Sequence, residues 1–200
     1  MTRAGSGATR TPRGRDVATE RLLLAAMDLL AEEGPRHLTV RAVAKRAGVN
    51  HGLIHHYFGG KDGLLLEAMR RLVREHHDYA RSHMMDDDVP EPLMLAGDQR
   101  YLRALVRCVL DGADDLVRVE FDEDLSVPRR AARRAVASAG ETPATKARVM
   151  LAVAAEMGWV ALEPFLFMVA DVSAADADEV RREAQQVRRT QYARIVAAAD

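Results

Sequence analysis

The sequence predicts an all-α chain, on three observations. Apolar residues recur at i, i+3, i+4 and i+7 along most of its 200 residues, which is the period of a helix with one inward face. The composition, 48% hydrophobic with 30% charged, leans on Ala, Leu, Arg and Val and so toward helix. No segment shows the strict alternation of a strand. A chain of this length suits one ordinary domain or a small module fused to a larger one, and buries a real core.

Residues 1–15, rich in Gly, Ser, Thr and Pro with Arg3, Arg10, Arg13 and Arg15, read as a disordered basic arm. Such an arm is either a solvated tail or a reach toward phosphates and the minor groove. Asp16 to Glu33 reads as a helix with Leu22, Ala25, Ala26, Leu29 and Leu30 inward, closed by Gly34-Pro35. A short helix follows with Val40, Val43, Ala44 and Ala47 on one face, Thr39 as its cap and Gly48 at its stop. Asn50 then caps a second short helix whose inward face is Ile54, followed by Phe58. Two short helices across a glycine turn are the helix-turn-helix plan. From Lys61 a long helix runs to about Ser82, with Leu65, Ala68, Met69, Leu72, His76 and Tyr79 along one side. It links the reader helices to the remainder of the chain.

Met84 to Gly97 reads as a loop, holding the acids Asp86 to Asp88 and then Pro90 and Pro92. The next helix is expected from Asp98, as cap, to Asp111, with Leu102, Leu105, Val106 and Val109 inward. Asp111 to Asp124 is acidic and weakly patterned. Ser126 and Pro128 open a helix ending at Gly140. Its Arg129 to Arg134 run is either a solvated face or a second nucleic-acid patch. Thr142-Pro143 begins a long helix, apolar nearly all round and therefore expected to be buried on more than one side. A stripe of mostly small residues, Ala147, Leu151, Ala154, Gly158 and Ala161, would allow close helix approach. Pro164 predicts a kink or break at Glu163. Ser173 and Asp176 resemble a capping box for the last helix, with Val180, Ala184, Val187 and Ile195 inward and Arg181, Arg182, Arg188 and Arg189 wet; Gln191 interrupts that inward stripe.

Charge separates the two ends. Residues 1–80 hold 13 Lys/Arg against 9 Asp/Glu and six of the seven histidines, while residues 81–200 hold 16 against 21. A basic end on an acidic body fits contact with a polyphosphate at one end only. Between Thr39 and Lys61 there is no acid at all. Arg41, Lys45, Arg46, His51, His55, His56 and Tyr57 are left to face outward, and Arg41 has the fork that reads a guanine edge.

These residues resemble the TetR family of transcriptional regulators (tetracycline-repressor type) from Arg21 to about Leu66. The match runs through Arg21-Leu22-Leu23, Ala25-Ala26, Leu29-Leu30, Gly34, Thr39, Ala44, the Ala47-Gly48-Val49 turn and Gly52. Ile54, His56-Tyr57-Phe58, Lys61 and Leu64-Leu65 complete it. The resemblance implies an N-terminal three-helix helix-turn-helix module (16–60) joined by a long helix to a C-terminal helical ligand-binding and dimerisation domain (61–200). It implies that His51, Gly52, Leu53 and His56 face bases and that Thr39, His55, Tyr57 and Lys61 hold phosphates. It also implies a homodimer built on the last two helices of each copy, and a repressor released from a palindromic double-stranded operator by a small effector. Two half-sites about 34 Å apart suit such a dimer. The sequence departs from the family at Leu53, where a small hydroxyl residue is usual, at His55 in place of tyrosine, and at Gly59-Gly60 in place of a polar cap. The first two bear on the operator sequence, and the glycine cap costs only a few tenths of a kcal/mol.

A cavity is expected between the linking helix and the last helices. Met84, Met85, Met94, Cys108, Phe121, Met157, Trp159, Phe165 and Phe167 are the side chains available to line it for a mostly apolar ligand, or else they are plain core. Cys108, alone in the sequence, excludes an internal disulfide and reads as a small buried residue, with a redox-sensing thiol as the alternative. The histidines lack the three or four convergent ligands of a zinc site, so no metal or cofactor is expected. No phosphate loop, nucleophile elbow or catalytic carboxylate signature occurs, so no enzyme is expected. Glu156 and Glu163, seven apart, are pocket or interface acids, or else an acid pair that would revive a helical hydrolase or isomerase. An interaction module without DNA would use the same helices. No signal peptide is visible, and Glu156 and Glu163 argue against a membrane span at Val149 to Val172, so the cytoplasm is expected.

Overall fold

The computed structural model describes residues 12–86 and 89–197, with side chains described for 15–85 and 90–193. Its helices are α1 (Pro12–His37), α2 (Val40–Ala47), α3 (Gly52–Phe58), α4 (Lys61–Ser82) and α5 (Gln99–Leu110). They continue as α6 (Asp114–Asp122), α7 (Val127–Ala139), α8 (Pro143–Val169) and α9 (Ala177–Ala197). Between α4 and α5 lie a small antiparallel pair, β1 (Met84–Asp86) and β2 (Val89–Pro90), and a 3-10 turn at Met94–Gly97. The all-α expectation holds.

One hydrophobic core runs from the reader helices into the body. Leu22 and Leu30 of α1, Val43 of α2 and Ile54 of α3 share it with Leu64, Met69 and Leu72 of α4. Leu102 and Cys108 of α5 and Leu116 of α6 belong to the same cluster. Each fully buried Leu or Met contributes about 1.5–3 kcal/mol, so the expected boundary at residue 60 crosses well-packed structure.

Helix α1 starts at Pro12 and so takes in the last four residues of the expected arm, while residues 1–11 lie outside the described part. It breaks at Gly34 (φ 78°, ψ 168°), a conformation open to glycine alone, and Pro35 restarts a short turn. The end of α5 clasps this break. Arg107 Nε donates to the Ala31 carbonyl at 3.0 Å, and the Arg36 amide donates to Asp111 Oδ2 at 3.1 Å. A Cβ on Gly34 would lie 2.9 Å from that same carboxylate oxygen.

Several expectations need correction. The acidic stretch after Asp111 is helix α6: Asp114 and Asp115 sit in its first turn, where helix amides favour acids, and Leu116, Val119 and Glu120 face inward. Glu120 is buried because it accepts from Tyr101 and, at 3.0 Å, from Ser126 Oγ. Asp98 stands at the N-cap of α5 as expected, but its side chain makes no capping bond, the carboxylate being taken by His76 Nδ1 at 2.9 Å. Val109 points outward at 55% exposure, the inward positions being Tyr101, Leu102, Ala104 and Cys108. Helix α8 runs unbroken through Pro164, where Glu163 is held by Arg181 of α9 through two contacts of 2.8 and 3.1 Å. Ser173 Oγ and Asp176 do bond, but α9 begins only at Ala177. On α9 the roles of neighbours are exchanged, with Val187 54% exposed and Arg188 buried. The side chain of Ile195 lies outside the described part.

Most of α8 is not buried within the chain. Met150, Leu151, Met168 and Val169 are each about 70% exposed, and Ala147, Ala154 and Ala161 lie open beside them. By length and composition alone α8 is apolar enough to cross a membrane, yet it packs on α5, α7 and α9 and carries buried Glu156.

Replacing Gly34 with Ala should destabilise the chain by about 1–3 kcal/mol, seen as a lower denaturation midpoint at unchanged slope. An unchanged midpoint would mean that the α1–α5 clasp gives way freely.

Candidate nucleic-acid interface and cavity

The helix-turn-helix is built by local chemistry. Thr39 Oγ1 accepts from the Ala42 amide at 3.1 Å to start α2, and Gly48 in the left-handed region ends it. Asn50 Oδ1 accepts from the Gly52 amide at 2.8 Å and so opens α3. Gly59 and Gly60, at φ 74° and 137°, turn the chain into α4. At Gly63 any side chain would run into the Phe58 carbonyl, which lets α3 and α4 meet closely.

With Val43, Ala44, Ala47 and Ile54 inward, the opposite surface presents Thr39, Arg41, Asn50, His51, Gly52, His55 and His56, all exposed. Leu53, Tyr57 and Lys61 are half-buried at its edge. The structure thus brings every expected DNA-contacting residue onto one surface region of α2, α3 and the start of α4. Two details were not visible in the sequence. Arg46 is engaged by Glu32 of α1 at 2.7 Å, so one of the outward cations is paired. The guanidinium of Arg15 lies 5.6 Å over the Tyr57 ring, which places the start of α1 beside this surface.

A cavity of about 120 Å³ opens in the body. His76 of α4 and Tyr101, Leu102 and Leu105 of α5 form one wall. Ala131 and Ala135 of α7, Ala152, Glu156 and Met157 of α8, and Tyr192 of α9 form the other. Of the nine side chains named as available to line it, Met94 and Met157 reach it. Met84 packs against a separate small cluster, and Cys108 belongs to the main core. Met85, Phe121 and Phe165 are exposed, Phe121 beneath the Arg129 guanidinium, and Trp159 meets Phe167 edge-on at 6.3 Å. Helical period alone does not say which turn of α8 faces α5, and the lining turned out to be smaller residues and tyrosines. Burial pushes the Cys108 thiol up to about 12, which leaves it without thiolate character.

Glu156, expected as a pocket or interface acid, lines the cavity, whereas Arg188 behind it reads in the sequence as a surface cation. Its Nη2 donates to the Ala152 carbonyl at 2.6 Å and to Tyr192 Oη at 3.0 Å, and Nη1 donates to Gln191 at 2.7 Å. Gln191, an apparent interruption of the inward stripe, thus steadies it. Glu156 Oε2 accepts from the Leu93 amide at 2.9 Å and from Tyr192 Oη at 3.3 Å, while Oε1 has no partner. Burial raises the Glu156 carboxyl above its ordinary range, against the opposing pull of the Leu93 amide, Arg188, Tyr192 and the Leu95 amide. Burial likewise pushes the Tyr192 phenol up to about 12. Opposite, His76 stacks on Tyr101 at 3.8 Å. Among the described residues no group of His, Cys, Asp and Glu gathers to hold a metal.

Residues 22–68 match the family of bacterial regulatory proteins known as the tetR family, so the resemblance drawn from the sequence holds. The chain is 29% identical over 195 residues to the HTH-type transcriptional repressor Rv3405c of Mycobacterium tuberculosis, across 90% of this chain and 92% of that one. It is 35% identical over 105 residues to the HTH-type transcriptional regulator BetI 2 of Chromohalobacter salexigens, spanning 52% of this chain and 45% of that protein. Among solved structures, the fatty acid degradation regulator FadR from Bacillus halodurans shares the fold, with a TM-score of 0.52 at 15% identity over 94% of this chain and 97% of that one. The first two are named as regulators of transcription and the third as a regulator of fatty acid degradation.

If the roles expected on the reader surface are right, Lys61→Ala should weaken binding to all DNA sequences alike and lower the salt slope by about one. Arg41→Ala should instead relax preference at one base position, costing about 1–3 kcal/mol there. A binding-site selection on both variants checks the contrast, and identical profiles would contradict it.

Proposed function

Starting from this chain as a transcriptional regulator of the tetR family with a DNA-binding helix-turn-helix, we propose that it is a repressor. It binds a palindromic operator as a homodimer in the cytoplasm and is released when a small, mostly apolar effector enters the body cavity. The observation that carries this is the placement of α4. Its first residue, Lys61, stands at the edge of the reader surface, and His76 four turns on lines the cavity. A repressor's role is consistent with the name of the Mycobacterium relative.

The open face of α8 supports the dimer. Met150, Leu151, Leu162, Phe165, Met168 and Val169 form an apolar surface too large for a lone chain to leave in water, with small residues between them for close approach. Val187 extends it onto α9. A bundle of α8 and α9 from two copies would cover it and set two reader surfaces apart for successive grooves.

Release follows from linkage. An effector that binds better to a state with α4 tilted shifts the population toward it, by no more than its difference in affinity for the two states. The clasp of α5 on Gly34 provides a second rigid connection from the same cavity wall to the readers.

Sedimentation should find a dimer, and Leu151→Glu should make it a folded monomer. In mobility shifts against its own upstream region the wild type should lose affinity steeply with salt, and the monomer should bind at least tenfold more weakly. A wild-type monomer that binds DNA equally well would overturn the dimeric reading, and no salt-dependent binding would overturn the DNA reading.

A further inference from the structure

The cavity carries one unmet demand. Glu156 is buried and lines it, Oε2 is consumed by the Leu93 amide and Tyr192, and Oε1 meets no donor. A buried carboxylate oxygen without a donor costs free energy that an entering group can recover. Leu93 explains why the acid is there but not why half of it is idle. That residue sits at φ 62°, an uncommon conformation for a leucine, and its amide needs only one oxygen.

Charge narrows what can meet Oε1. Arg188 Nε lies 4.0 Å from Glu156 Oε2, so the acid already has its countercharge, and Nε is itself buried without an acceptor. An ammonium group would add a second positive charge beside Arg188 in a poorly solvated place. A carboxylate would bring no donor to Oε1 and a second negative charge against Glu156, and Arg134, the cation in the lining, already has a partner. A hydroxyl donates and accepts while adding no charge, so it suits Oε1 and the nearby Nε together.

Size narrows it further. A cavity of about 120 Å³ is near the engineered apolar cavity of about 150 Å³ that admits benzene. Its walls are mostly apolar, with Leu102, Leu105, Met157 and two tyrosine faces, and His76 and Arg134 also reach them. We propose that the cavity takes a neutral ring-sized phenol or alicyclic alcohol whose hydroxyl donates to Glu156 Oε1. This rests on reading the cavity as the effector site.

Calorimetric titration of the full chain with toluene, 4-methylphenol, 4-methylbenzoate and 4-methylbenzylamine holds the ring constant and varies only the head. The expected result is 4-methylphenol at least tenfold tighter than the other three. In Glu156→Gln the Leu93 amide holds the amide oxygen, and an NH2 takes the place of Oε1. That variant should cut the phenol margin over toluene to threefold or less and leave toluene unchanged. A tighter amine or carboxylate, or toluene equal to the phenol, overturns the hydroxyl assignment while leaving a ligand cavity in place. If none of the four binds, the effector-cavity reading falls with it. Should Glu156→Gln fail to fold, the wild-type ranking alone decides.

Discussion

The apolar side of α4 is committed twice. Leu64, Leu65 and Ala68 pack with α1, α2 and α3, and His76, about two to three turns further along, stacks on Tyr101 and bonds Asp98 in the body. Because protein interiors are close-packed, a helix gripped at both ends moves as a rod. The reader surface therefore has no orientation independent of the body. On the proposed function, this constraint is what would carry a repacking around His76 and Tyr101 to Lys61.

The second grip, on α1, depends on a backbone position. Gly34 takes a conformation denied to other residues, and the space where its Cβ would stand holds the Asp111 carboxylate. Arg107 and Asp111 thereby reach the chain just before α2. Tyr101, Leu102 and Leu105, on the same α5, line the cavity, so α4 and α5 run in parallel from one site to the readers.

What the sequence made legible was local. Thr39, Gly48 and Asn50 announce their caps and turns by residue type, and the inward face of α2 follows from period alone. What it hid was tertiary. Glu120 and Arg188 look like solvent residues, yet Tyr101, Ser126, Ala152 and Gln191 supply the bonds that let them be buried. The lining of the cavity was misjudged for a related reason. Bulky Phe165 and Met85 are exposed, while the walls are set by where α8 packs between α5 and α7. The all-round apolar sequence of α8 points to burial that one chain does not provide, and the proposed dimer would supply it.

The most direct measurement is operator affinity after filling the cavity from a residue remote from DNA. Ala135 on α7 is buried and lines the cavity, and Ala135→Phe adds a volume close to that of the void. If the cavity controls the readers through α4 and α5, this variant should remain folded by circular dichroism and lose at least tenfold in operator affinity. Unchanged affinity in a folded Ala135→Phe protein would contradict the coupling of cavity to DNA surface.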